Sequence, residues 1–299
     1  MLINTAIVPV AGLGTRLLPL TQTIAKELLP LAGKPTLQYV LEELWHSGVR
    51  RTILVTSPAK AMIASCFQRD EQLERHLRET GKAELVAQLW SQSPAGDMQV
   101  ETAIQTEQLG LGHAVSVGES LANGEPVVVA LGDCVIDSSS PGGVVQRMIE
   151  LFHREQADIV IAFEEVAPDR VNRFGIASPL SDGPLFQLSD LIEKPSPTEA
   201  PSNLAVAARY VFSPQIFDAL RTTKRGKNNE IQLTDAIRQL IHSGARAWGV
   251  QLEAPEARFD MGNLESYTES FIHFALADPH LREVVERVSR KAGSQRETN

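Results

Sequence analysis

Apolar residues fall into two repeating patterns along this chain. Short continuous runs of strand type, Ala6 to Val10, Thr52 to Thr56, Met98 to Gln105 and Pro126 to Leu131, alternate with stretches whose apolar residues recur at helical spacing. The first such stretch is clear. Leu37, Val40, Leu41 and Leu44 share one helical face between Pro35, which suits a helix start, and Gly48, which suits an end, so a helix is predicted over Thr36 to Ser47. Further helices are predicted over Ala59 to Phe67, over the charged stretch Glu71 to Trp90 with a break near Gly81, and from Leu109 to about Leu121. Strands alternating with helices argue for an α/β domain with a largely parallel, doubly wound sheet.

The run Pro126 to Leu131 reads as a buried central strand, and it delivers Gly132 and Asp133 at its C-terminal end, where open α/β sheets place ligands. Beyond a Ser/Pro/Gly-rich loop come a helix to about Gln156 and a strand over Asp158 to Glu164. The second half is more mixed. Leu185 to Glu193 and Leu204 to Phe212 alternate as strands, and helices are expected near Pro214 to Leu220 and Leu233 to His242. Two more helical stretches follow Gly262, and the polar run Arg290 to Asn299 predicts a frayed tail.

Candidate chemistry begins where the first strand ends. Gly12 and Gly14 let the backbone turn and approach a ligand closely, and Arg16 and Lys26 follow as permanent cations, so the stretch reads as a phosphate-binding loop. Neither common nucleotide fingerprint fits it. The dinucleotide form needs a third glycine where Leu17 stands, and the Gly-Lys-Ser/Thr of the P-loop is absent.

Composition narrows the partners. The chain has 299 residues, 43% of them hydrophobic, and a net charge of -9, so nucleic acid and an anionic membrane are unlikely partners and any phosphate site must be locally basic. No run of about twenty apolar residues and no basic leader occurs, which points to a cytoplasmic protein. Cys66 and Cys134 are too few for a disulfide framework and are expected as buried free thiols.

Several segments in order, Gly12-Leu-Gly-Thr-Arg16, Lys26-Glu-Leu-Leu-Pro30, Gly110-Leu-Gly-His-Ala114, Leu131-Gly-Asp133, Glu193-Lys-Pro195, Glu230 to Ile237 and Asp260-Met-Gly-Asn263, resemble the bacterial UTP:glucose-1-phosphate uridylyltransferases. The resemblance runs from about Ile3 to about Phe271. It implies a Rossmann-like, doubly wound, mixed but mainly parallel sheet: one nucleotidyltransferase domain over residues 1–262, with a nucleotide-binding half to about 137 and a continuous sugar-binding half after it. Residues 263–299 would be C-terminal helices and tail. It also implies Mg²⁺ as cofactor, UTP and glucose 1-phosphate as substrates, UDP-glucose and pyrophosphate as products, and a homo-oligomer formed through apolar residues such as Phe271, Ile272, Phe274 and Leu276.

Carried over residue by residue, the resemblance makes Arg16, Lys26 and Lys194 the catalytic cations and Asp133 and Asp260 the Mg²⁺ ligands. Ala11, Gly12, Gly14, Gln105 and Gly110 would hold the nucleotide, and Gly175, Glu193, Lys194 and Val206 the sugar phosphate. A glutamine amide suits the uracil edge because it both donates and accepts. Glu230 to Ile237 is assigned chiefly to scaffold, with Thr234 or Asp235 as a helix cap, and His113 to a structural helix start. The departures are Ala25 and Gly132, where proline is usual, and Ile104, where arginine is. They leave two other readings open: the same fold acting on another pair such as dTTP and a sugar phosphate, or a catalytically weak paralogue that binds nucleotide sugar.

Overall fold

The computed structural model describes residues 3–60, 62–67, 69–91, 98–226 and 229–296. Its strands, in chain order, are β1 (Thr5–Pro9), β2 (Pro30–Leu31), β3 (Lys34–Pro35), β4 (Arg51–Thr56), β5 (Gln99–Ile104), β6 (Val127–Ala130), β7 (Cys134–Asp137), β8 (Ile159–Glu165), β9 (Gly175–Pro179), β10 (Leu185–Glu193), β11 (Leu204–Phe212), β12 (Ala247–Gln251) and β13 (Ala257–Asp260). Nine of them make one sheet in the order β5-β4-β1-β6-β11-β8-β12-β10-β9, while β7 pairs with β13 and β2 with β3.

Period-two alternation in the central strands builds a core on each face of this sheet. Ala6 and Val8 of β1 and Val128 and Ala130 of β6 face Leu37, Val40 and Leu44 of the helix Thr36–His46 and Met148 and Leu151 of the helix Gly143–Arg154. Ile7, Val127 and Val129 point the other way. They meet Val115 of the helix Leu111–Val117, Leu220 of Gln215–Thr222 and Ile237 of Leu233–His242. Helices on both faces leave the inner strands buried throughout, which is why β6 is an unbroken Val-Val-Val-Ala run.

The sheet is less parallel than expected. β5, β4, β1 and β6 run parallel, as do β8 and β12, but β11 lies antiparallel between β6 and β8, and β10 lies antiparallel between β12 and β9. Parallel strands need a helix-sized crossover between them. Only the Pro-rich segment 194–203 separates β10 from β11, and β9 joins β10 through a turn at Gly183, where φ is +116°. The expected sequence elements also omit β7, β9, β12 and β13, four or five residues each and too short for periodicity to register.

Other expectations shift as well. The charged stretch breaks at Gly81 (φ +73°), between helices Glu71–Glu79 and Ala83–Ser91, whereas the helix after Leu109 ends at Val117 and a second turn runs Glu119–Ala122. Of the helix expected over Ala59 to Phe67, the described part is a 3₁₀ turn, Pro58–Lys60, and the helix Met62–Ser65, with position 61 outside the described residues. Cys134 is buried as expected, but Cys66 is exposed. The expected frayed tail is helical through Arg296, continuing the helix from Pro279, and 297–299 lie outside the described residues. Phe274 turns inward from the helix Leu264–Ala277 onto Tyr39 and Phe259.

One buried ion pair ties the layers together. Arg209 of β11, fully buried, donates to Glu43 Oε2 from Nε at 3.0 Å and from a terminal nitrogen at 2.7 Å, and also to the carbonyls of Ala208 and Cys134. It thereby fastens the helix Thr36–His46 to the strand that follows Asp133. Burial pushes the Glu43 carboxyl up, and Arg209 pulls it only part of the way back. Substituting Arg209→Met should therefore leave an uncompensated buried carboxylate and cost about 3–5 kcal/mol in urea unfolding. Adding Glu43→Leu should recover most of that loss.

Candidate active site

The C-terminal ends of β1, β5 and β6 open on a cavity of about 640 Å³. The main chain leaves β1 at Val10, whose N–H still bonds to Val55 at 2.8 Å, and Ala11 to Arg16 then form one wall. Gly14 sits at φ +66°, where a β-carbon would come within 2.9 Å of Thr21 Cγ2, and Thr21 Oγ1 bonds to its carbonyl at 2.8 Å. Only glycine fits that position without strain.

Opposite this loop, β6 delivers Asp133, and Lys26 reaches across to form an ion pair with Asp133 Oδ2. Burial pulls the Lys26 ammonium down, but Asp133 and Glu27 together outweigh it and hold the group above its ordinary value. Burial likewise pushes Asp133 up, and Lys26 with a backbone hydrogen bond outweighs it, so its carboxyl stays below the usual range. Both are charged at neutral pH. The Asp133 carbonyl accepts the N–H of Met261 at 2.8 Å, and Asp260 pairs with Cys134 in the β7–β13 ladder, so the two aspartates stand at the same end of one antiparallel strand pair.

Asp260 is engaged in a turn. Its Oδ1 accepts the Gly262 N–H at 2.6 Å, and its Oδ2 lies 3.4 Å from Arg258. It is not itself among the residues that line the cavity, although its neighbour Arg258 is. Arg258 also pairs with Glu164 and stacks 5.0 Å over the Phe174 ring.

Gln105 is nearly fully buried at the end of β5. Its amide nitrogen contacts Gly110 O at 3.4 Å and His113 Nδ1 at 2.9 Å, so its donors face the protein and its carbonyl oxygen is left for the cavity. An acceptor reads one N–H of a pyrimidine. Gly110, at φ +96° and packed against Glu230, begins the helix that carries His113.

At the far end, Gly175 pairs with Glu193 across β9 and β10, and a β-carbon there would lie 3.3 Å from Val206 and 3.6 Å from Glu193 Oε2. Glu193 accepts from Thr234 Oγ1 at 2.7 Å and pairs with Lys194 Nζ at 2.9 Å. Lys194 adopts φ +48°, a conformation that L residues rarely take, held by its N–H bond to Phe174 O. Val206 precedes an irregularity in β11 where Ala208 reaches φ +60° and its carbonyl accepts from Leu131.

The cavity wall therefore includes Ala11, Gly12, Gly14, Arg16, Lys26, Gln105, Gly110, Asp133, Gly175, Glu193, Lys194 and Val206, and leaves out Asp260. Gln108, Arg173 and Arg258, not foreseen from the sequence, also stand on it, as do Glu230, Gln232 and Thr234 of the segment expected as scaffold. Thr234 does not cap its helix, whose N-cap is Gln232; its hydroxyl orients Glu193. Arg258 was findable, because it stands two residues before Asp260 and so on the same face of a strand. A second cavity of about 580 Å³, behind β7, contains none of the glycine loop.

The departures have local reasons. A β-carbon at Gly132 would meet Val10 Cγ1 at 2.6 Å, so Val10 occupies the space that proline would need. Ala25 already has φ -60°, the angle proline fixes, and Ile104 is solvent-facing at the rim of β5.

A model of the family described as nucleotidyl transferase matches residues 5–275. The chain belongs to the nucleotidyl transferase family. Among its relatives, the UTP–glucose-1-phosphate uridylyltransferase of Staphylococcus haemolyticus is 36% identical over 97% of this chain and 99% of its own length. Of the solved structures, UTP-bound UGPase from Acinetobacter baumannii superposes with a TM-score of 0.87 at 32% identity, covering 96% of this chain and 98% of that one. A UDP-glucose pyrophosphorylase complexed with UDP-glucose gives 0.81 at 33% identity, covering 93% of this chain and all of that one. No helix among the described residues is long and apolar enough to cross a membrane.

In this family member, Gly14→Ala should cost about 1 kcal/mol of stability from the left-handed backbone angle alone. Moving Thr21 as well should weaken nucleotide binding, which calorimetry with UTP would read.

Proposed function

We propose that the protein transfers a uridylyl group from UTP to α-D-glucose 1-phosphate, giving UDP-glucose and pyrophosphate. One observation carries the reading: cations, a carboxylate and hydroxyl-binding groups converge on one cavity of about 640 Å³, with room for a nucleotide and a sugar phosphate together. Relatives acting on, or bound to, these same compounds support the choice of substrates.

In this reading a phosphate oxygen of glucose 1-phosphate attacks the α-phosphorus of UTP, and the bond to the bridging oxygen of pyrophosphate breaks. The nucleophile is already an anion at neutral pH. The protein therefore supplies no general base; it aligns two polyanions and neutralises the charge that gathers on the leaving group. Arg16 and Lys26 take that charge beside the glycine loop. Gln105 accepts the N–H of the uracil ring, while the main chain of Ala11, Gly12 and Gly110 flanks the base. Glu193, oriented by Thr234, accepts sugar hydroxyls, Lys194 pairs with the sugar phosphate, and Gly175 and Val206 bring backbone close to the ring.

Among the described residues no cluster of three or more His, Cys, Asp and Glu side chains forms a self-sufficient metal site. Two aspartates at one end of the β7–β13 strand pair fit Mg²⁺ instead, which commonly takes one or two carboxylates and completes its shell with phosphate oxygens and water. Asp133, on the cavity wall, and Asp260 beside it would hold the ion. Bound there, Mg²⁺ would offset phosphate charge. A cytoplasmic location is part of this proposal. A homo-oligomer is proposed through the exposed Phe271, Ile272 and Leu276, without Phe274; light scattering that returned a monomer at micromolar concentration would refute it.

Pyrophosphate release, measured with Mg²⁺ over every pairing of UTP, dTTP, GTP, CTP and ATP with glucose, galactose and N-acetylglucosamine 1-phosphates, tests the reading directly. UTP with glucose 1-phosphate should be preferred. Strong preference for another pair would move the substrate, and no turnover in protein that binds UDP-glucose would replace catalysis by a regulatory role. Asp133→Ala should abolish Mg²⁺-dependent turnover in folded protein. Lys194→Ala and Thr234→Val should each raise KM for glucose 1-phosphate, by about tenfold and a few-fold respectively, with KM for UTP nearly unchanged.

A further inference from the structure

Lys60 stands at the end of the 3₁₀ turn after β4 and takes no part in the cavity wall. Its side chain is nonetheless mostly buried, and its ammonium has three acceptors: the carbonyl of Gly12, the carbonyl of Val10 at 3.3 Å and Glu27 Oε2 at 2.9 Å. An ammonium has three hydrogens to donate. All three are therefore spent inside the protein, and Glu27, with 1% of its surface exposed, serves as the counter-charge.

The consequence for the loop follows from peptide planarity. In a trans peptide the C=O of one residue and the N–H of the next point in opposite directions. Lys60 holds the carbonyls of Val10 and Gly12 from outside the cavity, so the N–H groups of Ala11 and Leu13 are turned toward it. Neither N–H has a protein acceptor among the described residues. Glu27 also adjoins Lys26, so the same ammonium fixes the segment that carries the cation paired with Asp133.

We infer that Lys60 is a positioning residue of the nucleotide subsite, which aims the Ala11 and Leu13 N–H groups at UTP by holding the two carbonyls behind them. The inference rests on the proposed use of UTP. Buried Lys60–Glu27 pairing would also serve stability alone, and that role predicts different behaviour when the charge is removed from both partners.

The test compares the wild type with K60M, E27Q and the double variant K60M/E27Q, reading thermal melting, UTP affinity by calorimetry without sugar, and both KM values. E27Q keeps Lys60 on the two carbonyls, whereas the double variant loses that hold without leaving a buried charge unpaired. Relative to E27Q, the double variant should bind UTP about tenfold more weakly, the loss expected for misdirected hydrogen bonds to a charged ligand. Its KM for glucose 1-phosphate should stay within about twofold of the E27Q value, as expected for interactions confined to the nucleotide. It should melt higher than K60M. UTP affinity equal in E27Q and K60M/E27Q would overturn the inference and leave Lys60 a purely structural residue. Failure of the wild type to bind or turn over UTP would instead overturn the functional reading, and this inference with it.

Discussion

The ion pair between Lys26 and Asp133 joins two walls of the cavity across 107 residues of chain. Lys26 comes from the loop beyond β1 and Asp133 from the end of β6, and the two strands are neighbours in the sheet. Parallel pairing puts both C-terminal ends on the same side. The pair is mostly shielded from water, so each charge preserves the other; in the proposed reading, the site keeps its cation ready for a polyanion and its carboxylate for a metal.

Around that pair the fold resolves a conflict between burial and polarity. A cavity for two phosphorylated substrates must present many polar groups at the edge of an apolar sheet, and each must be held without being consumed. Hence the layering of support. Thr234 orients Glu193, Gln105 commits its amide hydrogens to Gly110 and His113, and Arg209 with Glu43 anchors the strand following Asp133 from behind. Backbone strain gathers in the same places, at Lys194 and Ala208, where β10 ends and β11 breaks its register. Such conformations persist only where surrounding hydrogen bonds over-determine them.

Gln105 also bears on selectivity. In the proposed reading its carbonyl accepts a ring N–H that uracil and thymine share and cytosine and adenine lack at the matching position, so this residue does not separate uracil from thymine. Ile104, at the solvent-facing rim of β5, stands where the resemblance places an arginine in many relatives. Discrimination between UTP and dTTP must then come from groups near the ribose or the C5 position.

The sequence by itself determined the elements whose burial is two-sided or strongly periodic. The β1 and β6 runs and the helix of Leu37, Val40, Leu41 and Leu44 follow from the solvation of their side chains, and the glycine loop, Lys26, Asp133 and Glu193-Lys194 were legible because their chemistry is local to a motif. Tertiary structure alone decided what depends on neighbours distant in the chain. The antiparallel insertion of β11 and the short strands β7, β9 and β13 are stabilised by partners rather than by their own pattern. The same holds for Thr234 on Glu193, for Arg258 on Glu164, 94 residues before it, and for Lys60 on the carbonyls of a loop 48 residues earlier. A side chain's type fixes what it can bond to; only the packed fold fixes which partner comes within reach.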